Sequence, residues 1–302
     1  VAAAIPALAP DHLALAAQVA ITGLFALSLD LLVGYAGILS LGHAAFFGIG
    51  AYGAGLVAAA GWGEPLSGLL VAGLAAGFAG YLASFIVVRL RHLQQIVVTL
   101  GIGLVVFEAA GRLPGITGGD DGLQGIQIWP VLGVFPFDLY GRAAYFYAFA
   151  TLALGFAMMT RLVHSPFGLA LRGLRDNPRR MVAIGVPAEA RLRQAHAMAA
   201  ILAGVAGGLL TQTTQFVGVD VLSFSRSADV LVMLVLGGPG RRYGGLVGAA
   251  VYVVARDQLA DLDPRYWMGA LGVVLVVVVL YAPGGVLGGL ARVTRTWRTA
   301  PT

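Results

Sequence analysis

Apolar residues run through this chain in blocks of about 20, separated by short polar or glycine-rich stretches. Within a block they occupy every face of a helix rather than one stripe, as in "GVVLVVVVLYA" at 272–282. A hydrocarbon core about 30 Å thick takes roughly 20 helical residues to cross. On that measure the pattern predicts spans near 13–34, 38–60, 66–88, 94–111, 143–163, 195–218, 244–261 and 266–287. The piece "ADVLVMLVLGG" from residue 228 is below the roughly 17 residues that cross unaided, so it is expected to be a half-helix or re-entrant segment. "VAAAIPALAP" at the start is also too short to span, and a further helix upstream of Val1 is expected. No basic leader of a cleavable signal is visible.

Composition agrees with an all-α, polytopic transmembrane bundle of about eight to ten spans, counting broken and half helices. Hydrophobic residues make up 59% of the 302 and charged ones only 11%, against roughly 25% charged in soluble domains; mean hydropathy is +0.86. The 44 glycines allow close helix approach. A membrane β-barrel would alternate apolar and polar residues, which these blocks do not. The whole of 1–302 reads as one transmembrane domain, with residues 164–194 as a polar loop inside it.

Several chemistries are absent. With no Cys there is no disulfide, thiolate nucleophile or sulfur ligand. His12, His43, His92, His164 and His196 are too far apart for a helical metal pair, so no metal site is expected. All 19 basic residues are Arg, and without Lys a phosphate-binding loop ending in G-K-[ST] cannot form. If ATP drives this protein, another subunit binds it. Serine, zinc and paired-aspartate signatures of intramembrane proteases do not occur.

The arginines set an orientation. Arg89 and Arg91, the six Arg of 164–194 (172, 175, 179, 180, 191, 193), Arg241 and Arg242, and Arg292, Arg295 and Arg298 all face one side if the segment at 228 makes one crossing. By the positive-inside tendency that side is the cytoplasm, which leaves "TGGDDG" (117–122) and "DQLADLD" (257–263) outside.

"SPFGLALRGLRDNPRRMVAIG" (165–185) is the most informative stretch. Ser165 before Pro166 is a helix-start signal, with a capping hydroxyl followed by a residue whose missing amide hydrogen costs nothing there. Phe167, Ala170, Leu171 and Leu174 share one helical face, with Arg172 and Arg175 beside it. Asn177 and Pro178 repeat the start, Gly185 stops it, and Pro187 with Glu189 opens a third helical stretch. A positive-inside loop lying on anionic headgroups would explain the Arg count. Two capped helices suit a docking element better.

Four blocks carry a resemblance: "LDLLVGYAGILSLGHAAFFGIGAYGAGL" (29–56), "TLGIGLVVFEAAGRLPGITGGDDGLQGI" (99–126), the 165–186 loop and "GGPGRRYGGLVGA" (237–249). In that order, over about residues 13–290, they resemble the LivM-type permease of bacterial branched-chain amino-acid ABC transporters. Relatives that move urea or short amides share much of the pattern. Ile38 departs from it, standing where a polar Gln is common. The resemblance implies a multi-pass protein of the bacterial inner membrane that moves Leu, Ile or Val. Its implied partners are a second permease subunit (LivH-like, or a second copy of this chain), two cytoplasmic ABC ATPases, a periplasmic binding protein and membrane lipid, with no nucleic acid. It implies no cofactor on this chain itself, ATP and Mg residing on the ATPases, and no catalytic residue here. The loop then matches the element seated on the ATPase, with Phe167, Leu171 and Leu174 for apolar seating and Arg172, Arg175, Asp176 and Arg179 for polar orientation.

Other candidates follow from position. Glycines from Gly34 to Gly55 weaken a continuous helix and predict a break near Gly37–Gly42. Gly37, Gly42, His43, Thr99, Gln212 and Thr213 are candidates for the pathway lining, although tight helix packing is the better account of any single Gly and His43 is first expected to pack. The polar run 211–215 either bonds across helices or faces a pore. Asp30 and Glu108 are expected to be structural, and Arg226 with Asp229 to neutralise each other. Asp120 and Asp121 are candidates for docking the delivery protein, or a plain solvated turn. A secondary transporter or channel would explain the spans and breaks but not the capped loop helices. The Gly-rich breaks before 44 and before 244 hint at pseudo-symmetric halves.

Overall fold

The computed structural model describes residues 12–131, 133, 135 and 142–262, with isolated positions between 269 and 288. The predicted span 266–287, the arginines from Arg292 onward and the segment before residue 12 lie outside the described residues, save for those isolated positions. Among the described residues there are helices and two isolated β-bridges, and no strand.

We number the helices α1 (Leu13–Asp30), α2 (Ala44–Ala59), α3 (Pro65–Val87), α4 (His92–Gly111), α5 (Arg142–His164), α6 (Pro166–Asp176), α7 (Pro178–Ala183), α8 (Ala188–Thr214), α9 (Phe224–Gly237) and α10 (Gly244–Leu262). Among the described residues, five segments are long and apolar enough to cross a membrane: α1 with its extension to Ala36, α3, α4, α5 and α8. The expected span 38–60 is shortened: residues 37–43 are not α-helical, and α2 begins only at Ala44 and runs 16 residues. The reason is local. α1 widens into a π-turn over Leu31–Ala36 and ends at Gly37, whose φ of +73° is a backbone state an L side chain resists. The expected third loop helix at Pro187 is no separate piece, because α8 continues from it straight into the sixth long span.

The centre is built from small residues. α8 packs along α3 and α2. There Gly50 of α2 lies on Gly204, and Gly73 and Gly77 of α3 lie on Ile201, so a side chain on either surface would force the backbones apart. α1 sits inside this group, with 78% of its spanning window buried against 22% for α4. α4 therefore presents most of its surface outward. The short α9, capped by Ser223 whose hydroxyl accepts from the Arg226 amide, is held within the bundle against α10 and α1.

Both ends of the bundle are legible. Arg89 at the end of α3 pairs with Glu189 at 3.6 Å, the Arg193 guanidinium lies 4.7 Å from the Phe85 ring centre, and Arg242 stands over Phe156 at 5.8 Å. These contacts gather the Arg groups of three segments at one end, as the orientation argument requires. At the other end, Trp62 and Trp129 meet at 5.6 Å between ring centres, and Trp62 donates to the Ser67 hydroxyl at 2.9 Å. Paired indoles suit the headgroup level, where an apolar ring and a wet N–H are both satisfied. Glu64 caps α3 there, accepting from the Leu66 and Ser67 amides at 3.1 and 2.5 Å, with Pro65 at the first helical position.

Candidate functional site

At the Arg-rich end, α6 and α7 form as capped helices. Ser165 accepts from the Gly168 amide at 3.5 Å, and Asn177 from the Arg180 amide at 3.0 Å; Gly185 at φ +89° follows the second helix. The apolar stripe of α6 faces the chain's own bundle. Leu171 and Leu174 are 0% and 2% exposed, which corrects the expectation that they seat on a partner. Amphipathicity marks a covered face without saying which body covers it. Phe167 is half-buried, with the Arg191 guanidinium 5.7 Å from its ring centre. Arg172 donates to the Val163 carbonyl at 3.1 Å, back onto α5. Arg175 holds Asp176 through Nε and Nη2 at 3.1 and 3.0 Å, and its Nη1 donates to the Gly34 carbonyl. Its fork is thus directed at α1, while the side chain stays 38% exposed.

The opposite face carries what the stripe lacks. Leu169, Val182 and Ile184 are 60%, 56% and 68% exposed, interspersed with exposed Arg179 and Arg180. Among the described residues neither arginine has a carboxylate within 4 Å. Sequence reasoning passed over these three apolar residues, although Leu169 stands across the helix from the Leu171–Leu174 stripe.

The six pathway candidates do not converge. Gly42, His43 and Thr99 come together in the interior: the Leu41 amide donates to Thr99 Oγ1 at 3.1 Å, and a Cβ at Gly42 would overlap the Thr99 carbonyl. His43 Nε2 lies 2.9 Å from Ser28 Oγ, whose single proton goes to the Phe25 carbonyl at 2.6 Å; His43 is thus the donor of that pair. Its ring stacks on Phe25 at 5.6 Å, so it packs within the core. Gly37 lies instead beneath Arg175 at the Arg-rich end. Gln212 and Thr213 are at the other end of α8. Gln212 donates to the Pro65 carbonyl at 2.7 Å and accepts from Tyr147 at 2.8 Å, while Thr213 bonds back to Leu209 at 2.9 Å. Thr211 donates to Ala51 at 3.0 Å. The polar run therefore bonds across helices at Thr211 and Gln212.

The remaining candidates are placed as follows. Asp30 is 1% exposed and accepts from the Gly240 amide at 2.7 Å, a structural partner in keeping with expectation. Glu108 pairs with Arg112 at 2.6 Å on the surface of α4. The expected Arg226–Asp229 pair is corrected: Arg226 meets Asp220 at 3.4 Å, and Asp229 accepts from Tyr252 at 2.6 Å on α10, because the tertiary partners lie closer than the helical neighbour. Asp120 and Asp121 are exposed in a 3₁₀ turn. Asp120 lines an open cavity of about 650 Å³ together with Glu108, Arg112, Asp220, Phe107 and Phe216. No group of three or more metal-ligating side chains occurs among the described residues.

A model of the family described as the branched-chain amino acid transport system permease component matches residues 12–279. Over 282 residues the chain is 31% identical to the high-affinity branched-chain amino acid transport system permease protein LivM of Escherichia coli K12, and 30% identical to that of Salmonella typhimurium LT2. Each match covers 86% of this chain and 66% of the relative, so the chain spans just under two thirds of the length of the curated relatives it matches. No solved structure matches it.

Proposed function

The chain belongs to the branched-chain amino acid transport permease family, and on that premise we propose that it is the membrane-spanning subunit of an ATP-driven importer of branched-chain amino acids. It works in a bacterial inner membrane beside a second permease subunit. Two ATPases, which hold ATP and Mg, dock on its cytoplasmic face, and an external binding protein delivers the solute near the cavity at Asp120. The single observation that carries the reading is the α6–α7 surface. Leu169, Val182 and Ile184 with Arg179 and Arg180 make an apolar and basic patch on capped, bundle-backed helices. Converting a partner's closure into helix motion needs a stiff element rather than a slack tether, and the burial of Leu171 and Leu174 supplies that stiffness.

The test is reconstitution in proteoliposomes with the ATPases, second permease subunit and binding protein of its importer. Leucine uptake that needs both ATP and the binding protein is expected, with leucine, isoleucine and valine competing and urea not. Uptake by this chain alone, driven by an ion gradient, would overturn the reading.

A further inference from the structure

Three distant segments meet at the Arg-rich end, and we propose that Arg175 and Asp30 are positioning residues for transport, together carrying the partner's stroke from α6 into the two broken regions of the bundle. The proposal deepens the importer reading and rests on it.

The geometry begins at the π-turn of α1. A π-turn disturbs the regular i to i−4 ladder, and Gly34 within it offers its carbonyl to Arg175 Nη1. The remaining edge of the same guanidinium is held by Asp176, so three donors of a rigid planar fork are fixed at once. Arg175 also packs where Gly37 has no side chain: a Cβ there would stand 2.8 Å from Arg175 Cγ, on a residue already at φ +73°. α6 is thus fitted to the main chain of α1 by hydrogen bond and by shape.

Asp30 joins the third segment. It lies four residues before Gly34, one helical turn away, and accepts from the amide of Gly240 in the turn between α9 and α10. Gly34, Asp30 and Gly240 approach so closely that a Cβ on Gly34 would overlap both the Asp30 carboxylate and the Gly240 backbone. A displacement of Arg175 therefore acts on the Gly34 carbonyl, and through Asp30 on the second Gly-rich break. Beyond Gly37 the first break continues to Leu41 and Gly42, which touch Thr99 of α4, the least buried of the long spans. A path of contacts joined by the main chain of residues 37–41 runs from α6 to α4.

Contiguity alone is not coupling, so the test reads the ratio of solute moved to ATP hydrolysed. In the full complex in proteoliposomes, Arg175→Ala and Asp30→Ala are expected to keep at least half of the binding-protein-stimulated hydrolysis while uptake falls tenfold or more. Asp30→Asn, which keeps an acceptor for the Gly240 amide, is expected to stay within twofold of the wild-type ratio. Arg175→Lys has a single point donor group in place of the fork, and its ratio is expected to fall severalfold. If the alanine variants fail to accumulate, the Lys and Asn variants read the same quantity. An unchanged ratio in Arg175→Ala, or in Arg175→Lys where only that variant accumulates, overturns the proposal. So does a proportionate fall of uptake and hydrolysis, which would put Arg175 at the partner interface. A wild-type complex without stimulated hydrolysis would overturn the importer reading and this inference with it, whereas a working wild type with unaffected variants overturns this inference alone.

Discussion

Tyr147 donates to Gln212 across 2.8 Å, and Gln212 passes the link on to the Pro65 carbonyl at 2.7 Å, so one amide ties α5 and α8 to the start of α3. Hydrogen bonds between helices in a membrane contribute about 0.6 kcal/mol on average and up to about 1.7 kcal/mol. Tyr147→Phe is expected to destabilise by about 1 kcal/mol, and Gln212→Leu by a similar amount, because the Tyr147 hydroxyl still donates to the Pro65 carbonyl at 3.2 Å. Unfolding in detergent reads both. Leucine uptake should persist in each; a variant of normal stability with no uptake would instead place Gln212 in the pathway.

The two faces of α6–α7 separate binding from stability. Val182→Glu with Ile184→Glu changes exposed positions, where folding costs are usually within about 0.5 kcal/mol, and is expected to abolish co-purification of the ATPase. Leu171→Ala empties a fully buried position and should cost about 2–5 kcal/mol. If Val182→Glu/Ile184→Glu still retains the ATPase in mild detergent, the docking face lies elsewhere.

Gly37 supplies a backbone test. Gly37→Ala puts a Cβ into a left-handed conformation, costing roughly 1–2 kcal/mol, and against the Arg175 side chain 2.8 Å away. Gly61 also has positive φ, at +94°, but meets nothing within 4 Å, so Gly61→Ala carries the conformational cost alone. Thermal midpoints should drop further for Gly37→Ala than for Gly61→Ala; equal drops would refute a tight fit between α6 and α1.

Glu64 supplies a pH test. The Ser67 side chain first, against an opposing effect of desolvation and with lesser help from the Ser67 and Leu66 amides, holds its carboxyl below the usual carboxylate range. A depressed folded-state value means stability that is present above the unfolded value and is lost as pH falls through the folded one. The stability difference between wild type and Glu64→Gln should therefore be steady at neutral pH and shrink as the pH falls below the ordinary carboxylate range. A difference that stays constant down to pH 3 contradicts the cap's ionic character.

Five of the long spans, the break before His43 and the capped loop helices were legible because each rests on local chemistry: run length, glycine clustering, and Ser165–Pro166 and Asn177–Pro178 as start signals. Partner choice was not. Arg226 stands three residues from Asp229 in a helix yet bonds Asp220, and Asp229 bonds Tyr252 from another helix. The six pathway candidates share polarity or small size, properties that do not report distance. Leu169, Val182 and Ile184 were passed over because apolar residues near an apolar stripe resemble more of the same stripe until the bundle shows which side it covers.

By itself, then, the amino-acid order determined a helical membrane bundle, the end at which its arginines collect and the places where its helices stop, since hydrophobic length and capping act within a few residues. Only the tertiary structure decided that Arg175 turns inward to the Gly34 carbonyl and that Asp30 reaches Gly240, 210 positions away in the chain. Those contacts depend on three backbones coming close enough for glycine alone to fit between them, a distance set by how all the helices pack together.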